Sequence, residues 1–252
     1  SKIVMKIKNT FEKNFLNNKN ILVTGASRGI GKELALTLSS YGANIILHGR
    51  DEQALDMVYD EIKDTTETSP LIIQCDLNEL NENKSQNIAN VISENVNILD
   101  GIIHNAAIIG KMSSIHDFDL KTWNKVINTN LTSTYLLTKY LTPLMADSKN
   151  PRVIFTSSGV VRKGRAFWGA YAISKTALKS LAEILNDELE PITNIKVFNF
   201  DPGATRTSMR AFAYPAENAS TLKEPSSLMK YYLWMLSKES SKSDMRYIEF
   251  TN

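Results

Sequence analysis

Short apolar runs of four to six residues alternate along this chain with longer segments in which apolar positions recur every three or four residues. The run Ile21–Thr24 predicts a strand, and Gly31–Tyr41 predicts a helix that stops at Gly42. Asn44–His48 and Glu52–Thr65 repeat the pair, as do Leu71–Cys75 and Asn83–Val96. Gly101–Asn105 then leads, past a loop around Gly110, into one long helical stretch, Leu120–Met145. Pro143 marks a kink or break near its end. Arg152–Ser157 precedes a second long helix, Ala170–Glu190, closed by Pro191. Ile195–Phe200 ends at Asp201-Pro202-Gly203. A helix over Leu228–Leu236 and a weak strand over Arg246–Phe250 complete the series. Strands alternating with helices of this length imply βαβ units, hence a parallel sheet with helices on both faces. Without a repeat or a Pro/Gly-rich linker, one α/β domain over 1–252 is the simplest organisation. The stretch 205–225 has the least periodicity and is expected to be a substrate loop or lid.

The first residues carry a different pattern. Ile3, Ile7, Phe11 and Phe15 recur every four positions among Lys2, Lys6, Lys8 and Lys13. Such a pattern suits a transit peptide or a surface anchor. Without arginine or a cleavage pattern, a leader helix over 1–19, packed on the domain, is the expectation. No run of about 18 apolar residues occurs, so no membrane span is expected. A net charge of +2 gives no reason to expect a nucleic-acid or membrane partner. One cysteine, Cys75, excludes an intramolecular disulfide and permits a reducing compartment. A cytoplasmic location is the expectation, with Cys75 a buried strand residue rather than a nucleophile. His48, His104 and His116 lack metal-ligand spacing, and no metal site is expected.

Candidate chemistry begins at Thr24-Gly25-Ala26-Ser27-Arg28-Gly29-Ile30-Gly31, between a strand and a helix. A phosphate-bearing ligand needs backbone N–H groups aimed at it and no Cβ in the way. Gly25 suits a tight turn, Gly29 a close approach to a pyrophosphate, and Gly31 close helix–sheet packing. The second strand ends His48-Gly49-Arg50, where an acid would bind the ribose 2′-hydroxyl of NAD. Arg50, with Arg28 in the loop, suits a 2′-phosphate instead. NADP(H) is therefore expected, with NAD(H) left open by Asp51 and Glu52. Asp76 is positioned to accept from an adenine amino group, or to cap a turn.

A second constellation is Tyr171-Ala172-Ile173-Ser174-Lys175. A phenol titrating near pH 10 is a poor acid at neutrality, and an ammonium four residues away on the same helix face would lower its pKa. The strand Arg152–Ser157 runs into Ser157-Ser158-Gly159, which brings a serine hydroxyl toward Tyr171. That hydroxyl could stabilise negative charge developing on a substrate carbonyl.

Thr24–Gly31, Asp76, Asn105-Ala106-Ala107, Asn130, Ser158, Tyr171 with Lys175, and Pro202-Gly203 with Thr207 together resemble the short-chain dehydrogenase/reductase family, from about Lys19 to Phe250. Within it, Gly164–Tyr171, Gly203–Ala211 and Tyr231–Leu236 are similar to the bacterial YciK-type oxidoreductases. The resemblance implies a Rossmann-type, doubly wound parallel sheet of about seven strands in the order 3-2-1-4-5-6-7. It implies Tyr171 as general acid, Lys175 lowering its pKa and holding the nicotinamide ribose, Ser158 beside it, and Asn130 holding a water in a proton relay. Cofactor contacts are expected from Gly25, Ser27, Arg28, Gly29, Ile30, Gly31, Arg50, Asp76, Leu77, Asn105, Ala106, Tyr171, Lys175, Pro202, Gly203, Thr205 and Thr207. Ala107 departs from the family's Asn-Ala-Gly.

The substrate is expected to be a small carbonyl or alcohol, met by Ile108–Met112, Gly159–Trp168 and Thr205–Pro225. Met112, Trp168, Met209, Phe212 and Tyr214 suit an apolar or aromatic body; Arg162, Arg165, Arg206 and Arg210 suit an anion. A cofactor-reading sensor and an NADP-dependent epimerase or lyase are the alternatives to a dehydrogenase. The family implies a homodimer or homotetramer paired through the two long helices. Ala170, Ala172, Ala177 and Leu181 could serve that interface or the chain's own core.

Overall fold

The computed structural model describes residue 7 and residues 10–252. Seven parallel strands form one sheet, β1 (Asn20–Val23), β2 (Asn44–Gly49), β3 (Leu71–Gln74), β4 (Gly101–His104), β5 (Arg152–Thr156), β6 (Lys196–Asp201) and β7 (Tyr247–Glu249). Their order is β3-β2-β1-β4-β5-β6-β7, as the sequence led us to expect. The central strands are apolar throughout because both faces are covered. On one face, α1 (Gly29–Ser40), α2 (Glu52–Thr65) and α8 (Met229–Leu236) enclose a core that includes Leu34, Leu55, Ile154, Phe200 and Tyr232. On the other, α3 (Glu82–Asn95), α5 (Ser133–Leu141) and α6 (Gly169–Leu189) pack over Ile92, Leu137, Phe155, Leu178 and Val197. Two further helices, α4 (Leu120–Ile127) and α7 (Ser208–Ala213), lie beside the carboxyl ends of the strands.

Side chains that close local amides start four of the eight α-helices among the described residues. Asp51, Asn81, Asp119 and Thr207 accept from the N–H of Ala54, Lys84, Thr122 and Arg210 respectively, capping α2, α3, α4 and α7. Helix α1 has no side-chain cap. Its first amides are left for another partner.

Two expectations are corrected. The stretch Leu120–Met145 is not one helix: a five-residue π-helical turn, Asn128–Thr132, separates α4 from α5, and a 3₁₀ turn, Thr142–Met145, ends it with Pro143 at its start. Within the expected leader, residues 13–18 are turns, because Asn14 and Asn18 take φ of 64° and 62°, which no α-helix tolerates. Ile7, Phe11 and Phe15 do pack against the core, and the rest of the leader lies outside the described residues. The stretch 205–225 contains α7 and is held at its base by a bridge between Thr205 and Lys223.

Arg152 is fully buried and donates to the carbonyls of Pro151, Met235 and Ser237 and to the hydroxyls of Ser240 and Ser241. These bonds tie β5 to the end of α8. Burial lowers its guanidinium to about 10. Among the described residues, no helix is long and apolar enough to cross a membrane, and no cluster of His, Cys, Asp or Glu could hold a metal.

Candidate active site

A cleft of about 1270 Å³ runs across the carboxyl ends of the strands. It exceeds the roughly 300–1,000 Å³ of an ordinary single-ligand pocket. At one end, the chain leaves β1 through Gly25 and enters α1 at Gly29, with φ of 64° and 55°. Such values favour glycine at both positions. A Cβ on Gly31 would collide with the carbonyl oxygen of Gly25 and lie 2.7 Å from Asn105 Nδ2. The loop therefore closes directly onto the strand ends. Thr24, at the end of β1, accepts from the amides of Asn105 (2.9 Å) and Ala106 (3.0 Å), which fixes the β4 turn against it.

His48 was missed as a functional residue. Its Nδ1 accepts from the N–H of Gly25 (3.2 Å), and its Nε2 lies 3.1 Å from the carbonyl of Cys75. A carbonyl only accepts, so Nε2 carries the proton and the ring is neutral. Burial holds its pKa down at about 4. One imidazole thus fastens the glycine turn of β1 to the end of β3. The available signal was a histidine at the last inward position of a central strand.

The same bond corrects the reading of Cys75. Strand β3 ends at Gln74, and Cys75 is a half-buried residue lining the cleft. Burial raises its thiol to about 11, so it is not a thiolate at neutral pH. Asp76 next to it caps a turn by accepting from the N–H of Asn78 (3.0 Å), and also lines the cleft. Both of its alternative readings therefore remain compatible. Arg28 and Arg50 flank this end, with Arg28 3.7 Å from Asp51.

The middle of the cleft holds the residues expected to transfer a proton. Ser158 follows β5; Tyr171 and Lys175 lie in the first turns of α6. All three line the cleft. Lys175 is buried and donates to the carbonyl of Thr156 (2.8 Å), with its Nζ 5.9 Å from the ring centre of Tyr171. Burial lowers this ammonium to about 8. Burial also raises the phenol of Tyr171, with the Ser158 hydroxyl pulling the other way. Desolvation is the largest effect on the phenol, and it acts on both groups. His104 is buried against Phe155 and hydrogen-bonded to Thr138; burial, with Lys175 nearby, lowers it to about 3.

Of the predicted catalytic and cofactor residues, Asn130 and Gly31 do not line the cleft. Asn130 lies in the π-helical turn. Its amide accepts from the N–H of Ile108 (2.8 Å), and donates to the carbonyl of Ile108 (2.9 Å) and to Ser174 (3.1 Å). It holds the segment after β4 that borders the cleft, and its amide oxygen and nitrogen are both engaged.

The far end is lined by Ile109, Val160, Trp168, Met209, Ala213 and Tyr214. Met112 packs behind this wall, and Phe212 is exposed outside it, so neither lines the cleft as expected. Of the four arginines, Arg162 pairs with Glu249 (2.8 Å) and Asp201 (3.5 Å), Arg206 with Glu224 (2.9 Å), and Arg210 with Glu217 (2.8 Å). Ala170 and Ala172 are buried within the chain, and Ala177 and Leu181 are half-buried, Leu181 against its core.

Comparison with known proteins points the same way. Residues 19–218 match the family model described as short chain dehydrogenase. The uncharacterized oxidoreductase YciK of Escherichia coli strain K12 is 40% identical over 229 residues, covering 91% of this chain and 90% of that protein. A solved short chain dehydrogenase of Shigella flexneri 2a, complexed with NADP, superposes with a TM-score of 0.91 at 38% identity over 94% of this chain and 99% of that one. One from Escherichia coli CFT073, complexed with NADPH, has a TM-score of 0.91 at 38% identity over 95% and 99%.

Proposed function

This chain belongs to the short chain dehydrogenase family, and on that premise we propose that it interconverts a carbonyl compound and its alcohol with NADP(H). Carbonyl, NADPH and a proton give alcohol and NADP⁺. The observation that carries the reading is the convergence of Ser158, Tyr171 and Lys175 in the cleft that the glycine loop and two arginines close at its other end.

The residues present fit a dinucleotide. Positive φ at Gly25 and Gly29, the uncapped start of α1 and the absence of room for a Cβ at Gly31 make a cradle of backbone amides for a pyrophosphate. Ser27 and Ile30 belong to this cradle. Arg50 and Arg28 would hold a 2′-phosphate. Arg50 has no carboxylate partner among the described residues, whereas Arg28 is shared with Asp51. Asp76 and Leu77 would border the adenine, Asn105 and Ala106 the ribose, and Pro202, Gly203, Thr205 and Thr207 the nicotinamide end. When bound, the cofactor supplies or accepts the hydride. The similar structures complexed with NADP and NADPH support this assignment.

Tyr171 donates its phenolic proton to the carbonyl oxygen, and Ser158 hydrogen-bonds the same oxygen. A phenol raised by burial is fully protonated at neutral pH, which suits an acid in carbonyl reduction. Lys175, at about 8, still carries its proton there and holds positive charge behind the phenol. Asn130 acts as a positioning residue through Ile108. NAD(H) is a weaker alternative cofactor.

Titrating the protein with NADPH and NADH by fluorescence tests the first half of the reading, and NADPH is expected to bind more tightly. Tyr171→Phe tests the second: turnover should fall roughly 10²–10⁴-fold, the usual worth of a general acid, with nucleotide affinity retained. Nucleotide binding with no turnover of any carbonyl in the wild type would favour a sensor. Turnover without net consumption of NADPH would favour an epimerase or lyase.

A further inference from the structure

The loop that joins β5 to α6 carries the expected reacting side chains at its two roots and free charge at its tip. Ser158 begins it, and Tyr171 ends it in the first turn of α6. One step outward stand Val160 and Trp168. Both pack with Tyr171 in one apolar cluster, and the Trp168 ring centre lies 5.7 Å from that of Tyr171. At the tip are Lys163, Gly164 and Arg165, all exposed, and a Cβ on Gly164 would meet nothing within 4 Å. Short turns set this order. The N–H groups of Val161 and Arg162 donate to the carbonyls of Ser158 and Gly159 (both 3.2 Å), and that of Trp168 donates to the carbonyl of Arg165 (3.4 Å).

One cation of this loop fastens it. Arg162 reaches Glu249 (2.8 Å) and Asp201 (3.5 Å), at the ends of β7 and β6, and Asp201 is buried and accepts from the N–H of Gly203 (3.0 Å). Arg206 and Arg210, on the stretch 205–225, are neutralised by Glu224 and Glu217. Lys163 and Arg165 line the same cleft and form no ion pair among the described residues. In the cleft's lining, lysine and arginine outnumber aspartate nine to three, and no glutamate among the described residues lines it. The whole chain is nearly balanced, with 29 basic and 27 acidic residues. Arg28 and Arg50 account for this excess at the nucleotide end. Lys163 and Arg165, on the loop that carries Ser158 and Trp168, need a different anion. Unpaired cations at a cleft mouth draw in anions and favour them over neutral competitors.

From this order we infer that the substrate is itself an anion: a carbonyl compound whose carboxylate or phosphate is held by Lys163 and Arg165 while its carbonyl lies between Ser158 and Tyr171. An uncharged body passes Val160 and Trp168 between the two. The inference rests on the carbonyl-reductase reading above and names its substrate class. Arg165 offers either anion a two-pronged pair of donors, and Lys163 a point charge. Neither has an ion pair to break first, as Arg162, Arg206 and Arg210 would.

The test is calorimetric titration of the NADP⁺-saturated protein with 7-oxooctanoate, its methyl ester and 7-oxooctyl phosphate. NADP⁺ fills the glycine loop, so the probe's anion cannot settle there, and it prevents reduction, so binding is read apart from turnover. Both anions are expected to bind about tenfold more tightly than the ester at low salt, the order of two exposed ion pairs. The advantage should shrink at roughly 1 M salt, where the screening length falls to about 3 Å. Lys163→Gln with Arg165→Gln should erase it, with the thermal melt unchanged because both positions are exposed. Lys163→Glu with Arg165→Glu should make the ester the tighter ligand. Lys121→Gln, at an exposed cation of α4 outside the cleft, should leave the advantage intact. Whichever anion binds more tightly identifies the source of the charge. Equal binding of all three probes, an advantage that survives in the double glutamine variant, or no binding of any probe would each overturn the inference. Anion-selective binding without reduction of 7-oxooctanoate by NADPH would leave the inference standing and remove the reductase reading. Reduction of the ester as efficiently as of the acid would do the reverse. If NADP⁺ itself failed to bind, the cofactor reading would fall, and comparing wild type with the double glutamine variant in the free protein would still decide the inference.

Discussion

The two ends of the cleft are built by different means. At the nucleotide end, backbone does most of the work. Glycines turn where other residues would be strained or would clash, Thr24 and His48 fasten four strand ends together, and α1 leaves its amides open. At the substrate end, side chains do it. Three arginine–carboxylate pairs, a stacked guanidinium and two aromatic rings gather there, with Arg162 meeting Glu249 and Trp168 meeting Tyr214 across distant segments. A ligand common to a whole family can be met by a short, local backbone device. A ligand particular to one member needs an assembly of distant side chains, and that is where members can differ without disturbing the fold.

If the nucleotide end depends on backbone closeness, its most damaging single change is Gly31→Ala. The new methyl meets the carbonyl of Gly25, a backbone atom that cannot step aside without opening the loop. Nucleotide affinity should fall by roughly a hundredfold or more, the order expected when overpacking costs about 3 kcal/mol. A thermal melt separates this loss from unfolding.

The neutral, buried imidazoles sharpen the contrast by pH. His48 and His104 have folded pKa values of about 4 and about 3 against 6.5 for the free side chain. Between those values the unfolded chain binds the proton and the folded chain does not. Stability therefore rises with pH through this window and is lost as pH falls from 6.5 toward 4. Each histidine is worth up to about 3 kcal/mol over that range. Denaturant unfolding at pH 7, 5.5 and 4 should show the decline, and His48→Gln with His104→Gln should flatten it. An unaltered slope in the double variant would remove the buried-imidazole account.

A smaller effect is expected of Arg50→Ala. Losing a charge-assisted contact to a 2′-phosphate costs about 2 kcal/mol, roughly thirtyfold in NADPH affinity, with NADH little affected. Equal losses for both nucleotides would mean that Arg50 serves the loop rather than the phosphate. The smallest change belongs at the substrate rim. Glu224→Gln breaks an exposed ion pair with Arg206 and should alter stability by less than about 1 kcal/mol. A larger loss would show that the rim pairs support the fold and not only the charge balance of the cleft.

Much of the architecture was legible in the order of residues. Apolar runs bounded by Gly, Asp and Pro located all seven strands to within a residue or two, because a parallel sheet covered on both faces requires continuous apolar segments. The glycine loop and the Tyr171–Lys175 spacing are equally local, since a turn and a helix face are settled by neighbours in sequence. The break at Asn128–Thr132 was not legible. Its residues have no helix-breaking composition, and the π-helical turn coincides with Asn130 bonding Ile108, a residue 22 positions earlier. The leader misled because a period of four is only a tendency, and the turns at Asn14 and Asn18 override it.

By itself, then, the sequence determined the parallel sheet, the glycine turn after β1 and the one-face spacing of Tyr171 and Lys175, all of which rest on interactions within a turn, a strand or one helix. The tertiary structure alone decided which charges remain free, which groups are desolvated and which rings face the reacting centre. The phenol of Tyr171 and the ammonium of Lys175 are governed by burial that only the packed helices create. Arg162, Arg206 and Arg210 are answered by carboxylates at distant positions in the chain or across a turn whose shape composition does not disclose. Electrostatics in a cleft depend on distance and solvent exclusion, and neither exists until the chain has folded.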